Sequence, residues 1–160
     1  MQSRLRLAPM ATAERDGRAW VLSTTVLPPS GNVCLREHWR ARTDRRDLLI
    51  VLFRQARLAA GVASPVFPRA KLATALYFGD GRRRDADNYV AGLKEHIDAL
   101  RLAGWVPDDH AGVLHQETPT LDVDRANPRC VLRLEPWRRG GVIPIHGAVY
   151  DPEHYKPRPR

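Results

Sequence analysis

GDGRRRDADNYVAGLKEHIDALRLAGWVPDD, residues 79–109, is the stretch whose reading decides the fold. It runs from Gly79 through three arginines, Arg82, Arg83 and Arg84, to Asp85 and Asp87, and closes on Asp108 and Asp109. Between the two acidic pairs, Tyr89, Leu93, Ile97 and Leu100 recur at spacings of four, four and three, which predicts a helix with one apolar stripe. Lys94, Glu95 and Arg101 fall off the centre of that stripe, Asn88 can cap the helix, and Gly104 stands where it would stop. About fifteen helical residues at ~1.5 Å each carry the chain roughly 22 Å away, so Asp108 and Asp109 rejoin the first pair only if the next segment folds back.

The aspartates point to chemistry. Mg²⁺ is a hard cation that takes oxygen ligands and is commonly held through a few carboxylates. If Asp85-Ala86-Asp87 is extended, residues i and i+2 point to the same side and both carboxylates can face one ion. Neighbours in an extended loop point opposite ways, so one of Asp108 and Asp109 is expected in the site and the other outside it. A carboxylate cluster repels phosphate, and guanidinium groups beside it restore the attraction and grip phosphate in bidentate fashion. A D-x-D is common in turns and an arginine run is often only a solvated face; the combination carries the weight.

Working outward, Ala70–Phe78 alternates with Leu72, Thr74, Leu76 and Phe78 on one side and reads as a strand delivering the chain to the arginines. Ala19–Leu27 reads as a strand ended by Pro28-Pro29. The loop expected at Ser30–Thr43 carries Arg36, His38, Trp39, Arg40 and Arg42. Trp39 there either stacks on an unpaired or distorted base or packs on the next helix. That helix is expected at Asp44–Ala60, capped by Thr43 or Asp44 and stopped by Gly61, with Leu48, Leu49, Val51, Leu52, Phe53 and Leu58 inward and Arg45, Arg46, Arg54 and Arg57 outward. Val113–Glu117 and Cys130–Glu135 read as strands, with a turn-rich excursion between them. Asp122-Val123-Asp124 in that excursion is a rival D-x-D, read as a solvated loop. His96, His110 and His115 form no convincing ligand set. Together the elements predict an α/β (α+β) fold, a single compact domain with a mixed sheet and helices mainly on one face. Residues 1–18 are expected to be a flexible leader, 19–135 the domain, and 136–160 an extension with a basic, disordered end.

The chain has 160 residues and a net charge of +8, which favours a polyanionic partner. No apolar run approaches the ~20 residues that span a bilayer, so DNA is favoured over membrane. Cys34 and Cys130 are far apart and suggest neither a disulfide framework nor a zinc site, which fits a reducing cytoplasm.

These residues resemble a known family. RRRDADN, a helix with a lysine and Asp98-Ala99-Leu100, then Ala103-Gly104, Trp105 and Asp108-Asp109, is similar to the signature of RusA-type Holliday-junction resolvases, and so is Pro28-Pro29-Ser30 with Asn32 and His38-Trp39-Arg40. The match is tight over residues 82–109. The resemblance implies a homodimeric, Mg²⁺-dependent endodeoxyribonuclease, Mn²⁺ serving in place of Mg²⁺, that nicks opposed strands of a four-way junction in a bacterial or phage-infected cell. Its motif aspartates fall on Asp85, Asp87 and Asp109. The family lysine, counted forward from Asn88, would fall on Ala91; counted back from Asp98 it is Lys94, three residues further on. Arg82, Arg83, Arg84, Asn32 and Arg40 are the expected DNA contacts. The rival readings are a non-catalytic DNA-binding protein, a nuclease for flaps or RNA, and a D-x-D glycosyltransferase, the last disfavoured by a short, basic chain.

Overall fold

The computed structural model describes residues 8–137, together with the backbone of two short paired strands at 144–145 and 148–149. Strand β3 (Ala70–Phe78) runs through the middle, and its nine residues alternate between buried and half-buried. Leu72, Thr74, Leu76 and Phe78 turn inward, as the sequence alternation predicts. On one side lies β6 (Arg129–Pro136), antiparallel, with Leu134 opposite Leu72 and Cys130 opposite Leu76. β2 (Ala19–Thr24) follows beyond β6, and β1 (Ala11–Asp16) beyond β2, both antiparallel to their neighbours. The other edge of β3 takes two parallel strands in tandem, β4 (Leu114–Gln116) beside Ala70–Leu72 and β5 (Thr120–Val123) beside Ala75–Phe78.

Parallel neighbours cannot be joined by a tight turn and need a crossover. The stretch quoted first supplies it. It holds α3 (Asp87–Val90), one 3₁₀ turn at Ala91–Leu93, and α4 (Lys94–Leu102). The apolar stripe sends Tyr89, Leu93, Ile97 and Leu100 into a core shared with Leu22, Leu76, Leu132 and Leu134 of the sheet and with Leu49 and Phe53 of α2 (Trp39–Ala59). Trp105, fully buried after α4, donates its indole N–H to the Phe53 carbonyl at 2.9 Å and ties the end of the crossover to α2. Gly104 ends the helical segment at φ 82°, and a Cβ there would lie 2.3 Å from Ser64 Oγ. The helices cover one face of the sheet. The other carries charged ladders such as Arg133 with Asp16 and Glu135, and Lys71 paired with Glu117 at 2.6 Å. The mixed sheet in one compact α+β domain matches the expected class.

Several boundaries differ from the sequence reading. Residues 11–16, assigned to a flexible leader, form an edge strand, because Gly17 at φ 59° supplies the two-residue hairpin turn that folds β1 onto β2. Residues 1–7 of that leader, and the extension from 138 onward apart from the two short strands, lie outside the described residues. The expected loop at Ser30–Thr43 holds α1 (Gly31–Arg36) and the first turn of α2, which starts five residues early because His38 Nδ1 accepts the Arg40 N–H at 3.3 Å and caps it. The excursion before β6 contains β5, so Asp122 lies on a strand. Asp124 is paired with Arg129 at 2.6 Å. Arg57, expected outside, donates to the Ala103 and Val62 carbonyls at 3.0 and 2.8 Å. Among the described residues no helix is long and apolar enough to cross a membrane.

Candidate functional site

The loop leaving the C-terminal end of β3 is ordered by Asp80. Its Oδ1 accepts the Arg82 N–H at 3.1 Å and an Arg84 guanidinium N–H at 2.7 Å, and the Arg84 bond first of all holds the Asp80 carboxyl below its usual range. Arg84 also lies over the Phe78 ring at 4.0 Å and donates to the Asp80 and Arg82 carbonyls. Its side chain is 16% exposed, against 84% for Arg82. The three arginines, alike in sequence, therefore divide: Arg84 builds the loop, while Arg82 and Arg83 face solvent.

Asp85 starts the helical segment. Its Oδ1 accepts the Asp87 N–H and its carbonyl accepts the Asn88 N–H, each at 3.2 Å, so Asp85 performs the capping expected of Asn88. Asn88 packs instead on the start of α1, where a Cβ on Gly31 would lie 2.9 Å from its Oδ1. The Pro28-Pro29-Ser30 turn is pressed still harder onto the crossover, since a Cβ on Gly92 would fall 1.8 Å from the Pro29 carbonyl oxygen. This contact brings Ser30 to the arginine loop. An open cavity of about 770 Å³ results, lined by Ser30, Arg82, Arg83, Arg84, Asp85 and Asn88 among others. Ala86 is helical, at φ −59° and ψ −41°, and not extended, so Asp85 and Asp87 do not turn to the same side; Asp87 is exposed and is not among the residues lining the cavity.

A second cluster lies along α4. The Lys94 ammonium bridges Asp98 Oδ1 at 2.7 Å and Asp109 Oδ2 at 2.6 Å, and Arg101 Nε stands 3.9 Å from Asp109 Oδ1. The chain after Gly104 does fold back, and it is Asp109 that reaches the helix, with its N–H bonded to Asp108 Oδ1 at 2.7 Å. Burial works against the Lys94 charge, but the bonds to Asp109 and Asp98 outweigh it and raise its pKa above the ordinary value. Burial likewise works against the Asp109 charge, and the Lys94 bond overcomes it and holds the carboxyl below its ordinary value. Both groups stay charged at neutral pH.

Asp85, Asp87 and Asp109 were expected around one ion. Among the described residues no group of three or more His, Cys, Asp or Glu side chains is gathered to hold a metal. The physical reason is the position of Asp109, which follows Lys94, seven residues and about 10 Å of helix beyond Asp87. Asn32 and Arg40 are exposed, Arg40 with its guanidinium 5.4 Å from the Trp39 ring centre; neither lines the arginine cavity.

Sequence reasoning missed the buried charge under α1 and α2. Glu95, placed off the apolar stripe by its spacing, is 4% exposed and accepts from Arg42 Nε at 2.7 Å. Glu37 pairs with Arg45 beside it. The only signal was the arginine pattern at 42, 45 and 46, which shares a helix face but names no partner. No family model matches this sequence, and no curated protein matches it.

Proposed function

We propose that this chain is a Mg²⁺-dependent endonuclease that resolves branched DNA, four-way junctions above all, by paired phosphodiester hydrolysis in recombination and repair. The observation that carries the reading is the open cavity at the end of β3, where exposed Arg82 and Arg83 stand beside Asp85. Cations adjoining a carboxylate are what a site needs to draw in a phosphodiester that its acidic groups would otherwise repel. The motif resemblance to RusA-type resolvases supports the same substrate.

Mg²⁺ is commonly held by one or two carboxylates, with water and substrate phosphate in its other positions. Asp85, in the cavity lining, would supply one carboxylate to that set, with water and the substrate phosphate completing it, and Mn²⁺ accepts the same oxygens. When bound, the ion supplies a water of lowered pKa and neutralises charge on the attacking and leaving oxygens. Arg82 and Arg83 hold the backbone phosphates. Lys94, kept protonated by Asp98 and Asp109, stands further along the crossover, where it offers its charge to a neighbouring backbone phosphate, and Asp109 fixes its position. A homodimer suits the approximate two-fold symmetry of a four-way junction, which needs two matched cuts. Two cysteines without a disulfide fit work in the cytoplasm of a bacterial or phage-infected cell.

One observation favours a second reading. Asp109 is engaged by Lys94 and the carboxylates are not gathered, as suits a basic protein that binds branched DNA without cutting it. Synthetic four-way junctions, assayed beside duplex, flap and RNA substrates with Mg²⁺ or Mn²⁺, separate the two. We expect symmetric, metal-dependent nicking of the junction, and Asp85→Asn should reduce it at least about 100-fold while leaving binding intact. A wild-type protein that binds junctions but never nicks them leaves only the binding reading.

A further inference from the structure

At the end of the sheet away from the arginine loop, the β1–β2 hairpin and the connector after α2 enclose an open cleft of about 490 Å³. Its apolar walls are Trp20, Val62, Val66 and Phe67, each half-buried. They are fixed from behind. Trp20, Val66 and Phe67 pack on the core, the Trp20 ring meets Trp105 edge-on at 6.0 Å, and the Val66 N–H bonds the Trp105 carbonyl at 3.1 Å. Val62 is held by its N–H to the Arg57 carbonyl at 3.1 Å and by the Arg57 guanidinium donating to its carbonyl at 2.8 Å. The cleft is therefore formed in advance of any ligand, and its volume falls within the ~300–1,000 Å³ of ligand sites. Arg15 and Arg18, both exposed, stand in its lining, and no carboxylate does. Asp16 between them is ion-paired with Arg133 on the opposite face of the sheet.

We infer that this cleft docks an acidic peptide segment of a partner protein, one large apolar side chain entering between Trp20 and Phe67 and the neighbouring carboxylates pairing with Arg15 and Arg18. The apolar walls supply the driving force, since each large side chain that enters removes its surface from water. The guanidinium groups grip carboxylates in bidentate fashion and so set the sign of the partner's charge. Tryptophan and arginine are also the residue types that carry most of the energy at protein interfaces. Nucleic acid suits the cleft less well, because it needs cations along the track of its backbone. Here two arginines stand on the hairpin alone, and the connector facing them, residues 60–67, carries no charge. A second copy of this chain, at net charge +8, would be repelled. The inference stands apart from the proposed nuclease. Val66 and Phe67 lead into the start of β3, whereas the arginine cavity lies past its end, about 30 Å of strand away, and a partner held here leaves that cavity open.

The test follows the fluorescence anisotropy of a short labelled peptide, rich in aspartate and glutamate around a single phenylalanine, titrated with the full chain at one fixed salt concentration. Binding should weaken about 10-fold or more when the peptide's phenylalanine is replaced by alanine, and by a similar factor when Arg18→Glu reverses a charge at the exposed hairpin turn. Phe67→Ala should weaken it likewise, and Arg18→Glu carries the test alone if Phe67→Ala does not fold. Arg125→Glu, the same charge change on an exposed residue in the turn after β5, should leave binding unchanged. No binding of the acidic peptide, or equal binding of its alanine counterpart, overturns the inference. Equal losses from Arg18→Glu and Arg125→Glu overturn it too, by reducing the effect to attraction toward a basic chain. Displacement of the peptide by oligo-dT that depends on Arg18 would put nucleic acid in the cleft and the inference would fall. Junction nicking is read separately, so the failure of either proposal leaves the other standing.

Discussion

His96 is fully buried on α4 with Nε2 2.8 Å from the Val26 carbonyl. A carbonyl only accepts, so Nε2 carries the proton and Nδ1 is left buried without a partner. Burial above all pushes its pKa from 6.5 down to about 4, with Arg45 adding to the effect and Glu95 opposing it. The fold therefore holds a neutral ring while the unfolded chain takes up a proton below its ordinary pKa. The histidine's contribution is complete above about pH 6.5 and is lost as pH falls toward 4. The fall from 6.5 to about 4, at ~1.4 kcal/mol per pH unit, is worth about 3 kcal/mol. Urea unfolding should show wild type losing more stability between pH 7 and pH 4 than His96→Gln; parallel losses would place the acid sensitivity elsewhere. At this scale the sequence marked Lys94 and Asp109 but missed Glu95. Helical spacing can show that a residue is near an apolar stripe; it cannot show that a distant arginine will neutralise it there.

At the level of elements, β3 was legible because its side chains alternate without interruption, and the apolar stripe of the crossover because each of its four residues, Tyr89, Leu93, Ile97 and Leu100, meets the core. β1 was not, since Ala11 and Ala13 are too small to print an alternation, although Asp16-Gly17 is itself a hairpin signal. The start of α2 was hidden because a histidine, not the Thr43 or Asp44 of the sequence reading, caps it. The most exacting contact between elements is Gly92 against Pro29. Gly92→Ala must push the Pro29 carbonyl off the crossover, which should cost on the order of 1–3 kcal/mol by overpacking and displace Ser30 from the arginine cavity. Thermal unfolding beside a junction-binding assay checks both effects. An unchanged melting temperature would show that the Pro29 turn is not clamped there.

Across the whole molecule, a net charge of +8 makes nucleic-acid binding salt-dependent, with one counterion released for each phosphate neutralised. Arg82→Ala should lower the slope of log affinity against log salt by about one and weaken all DNA sequences alike. Arg84→Ala should instead disturb the loop, because its guanidinium is bonded to Asp80 and stacked on Phe78. An Arg82 variant with an unaltered slope would remove that residue from the phosphate contacts. The sequence by itself determined the α+β class, the central strand, the core stripe of the crossover and the acidic and basic groups a phosphodiester site would use. Those follow from periodicity and residue chemistry, which are local. Only the tertiary structure decided that Arg84 is structural, that Asp109 folds back onto Lys94, and that Glu95 lies buried against Arg42. Each depends on which distant groups the packed core brings within bonding distance, and spacing along a chain does not encode that.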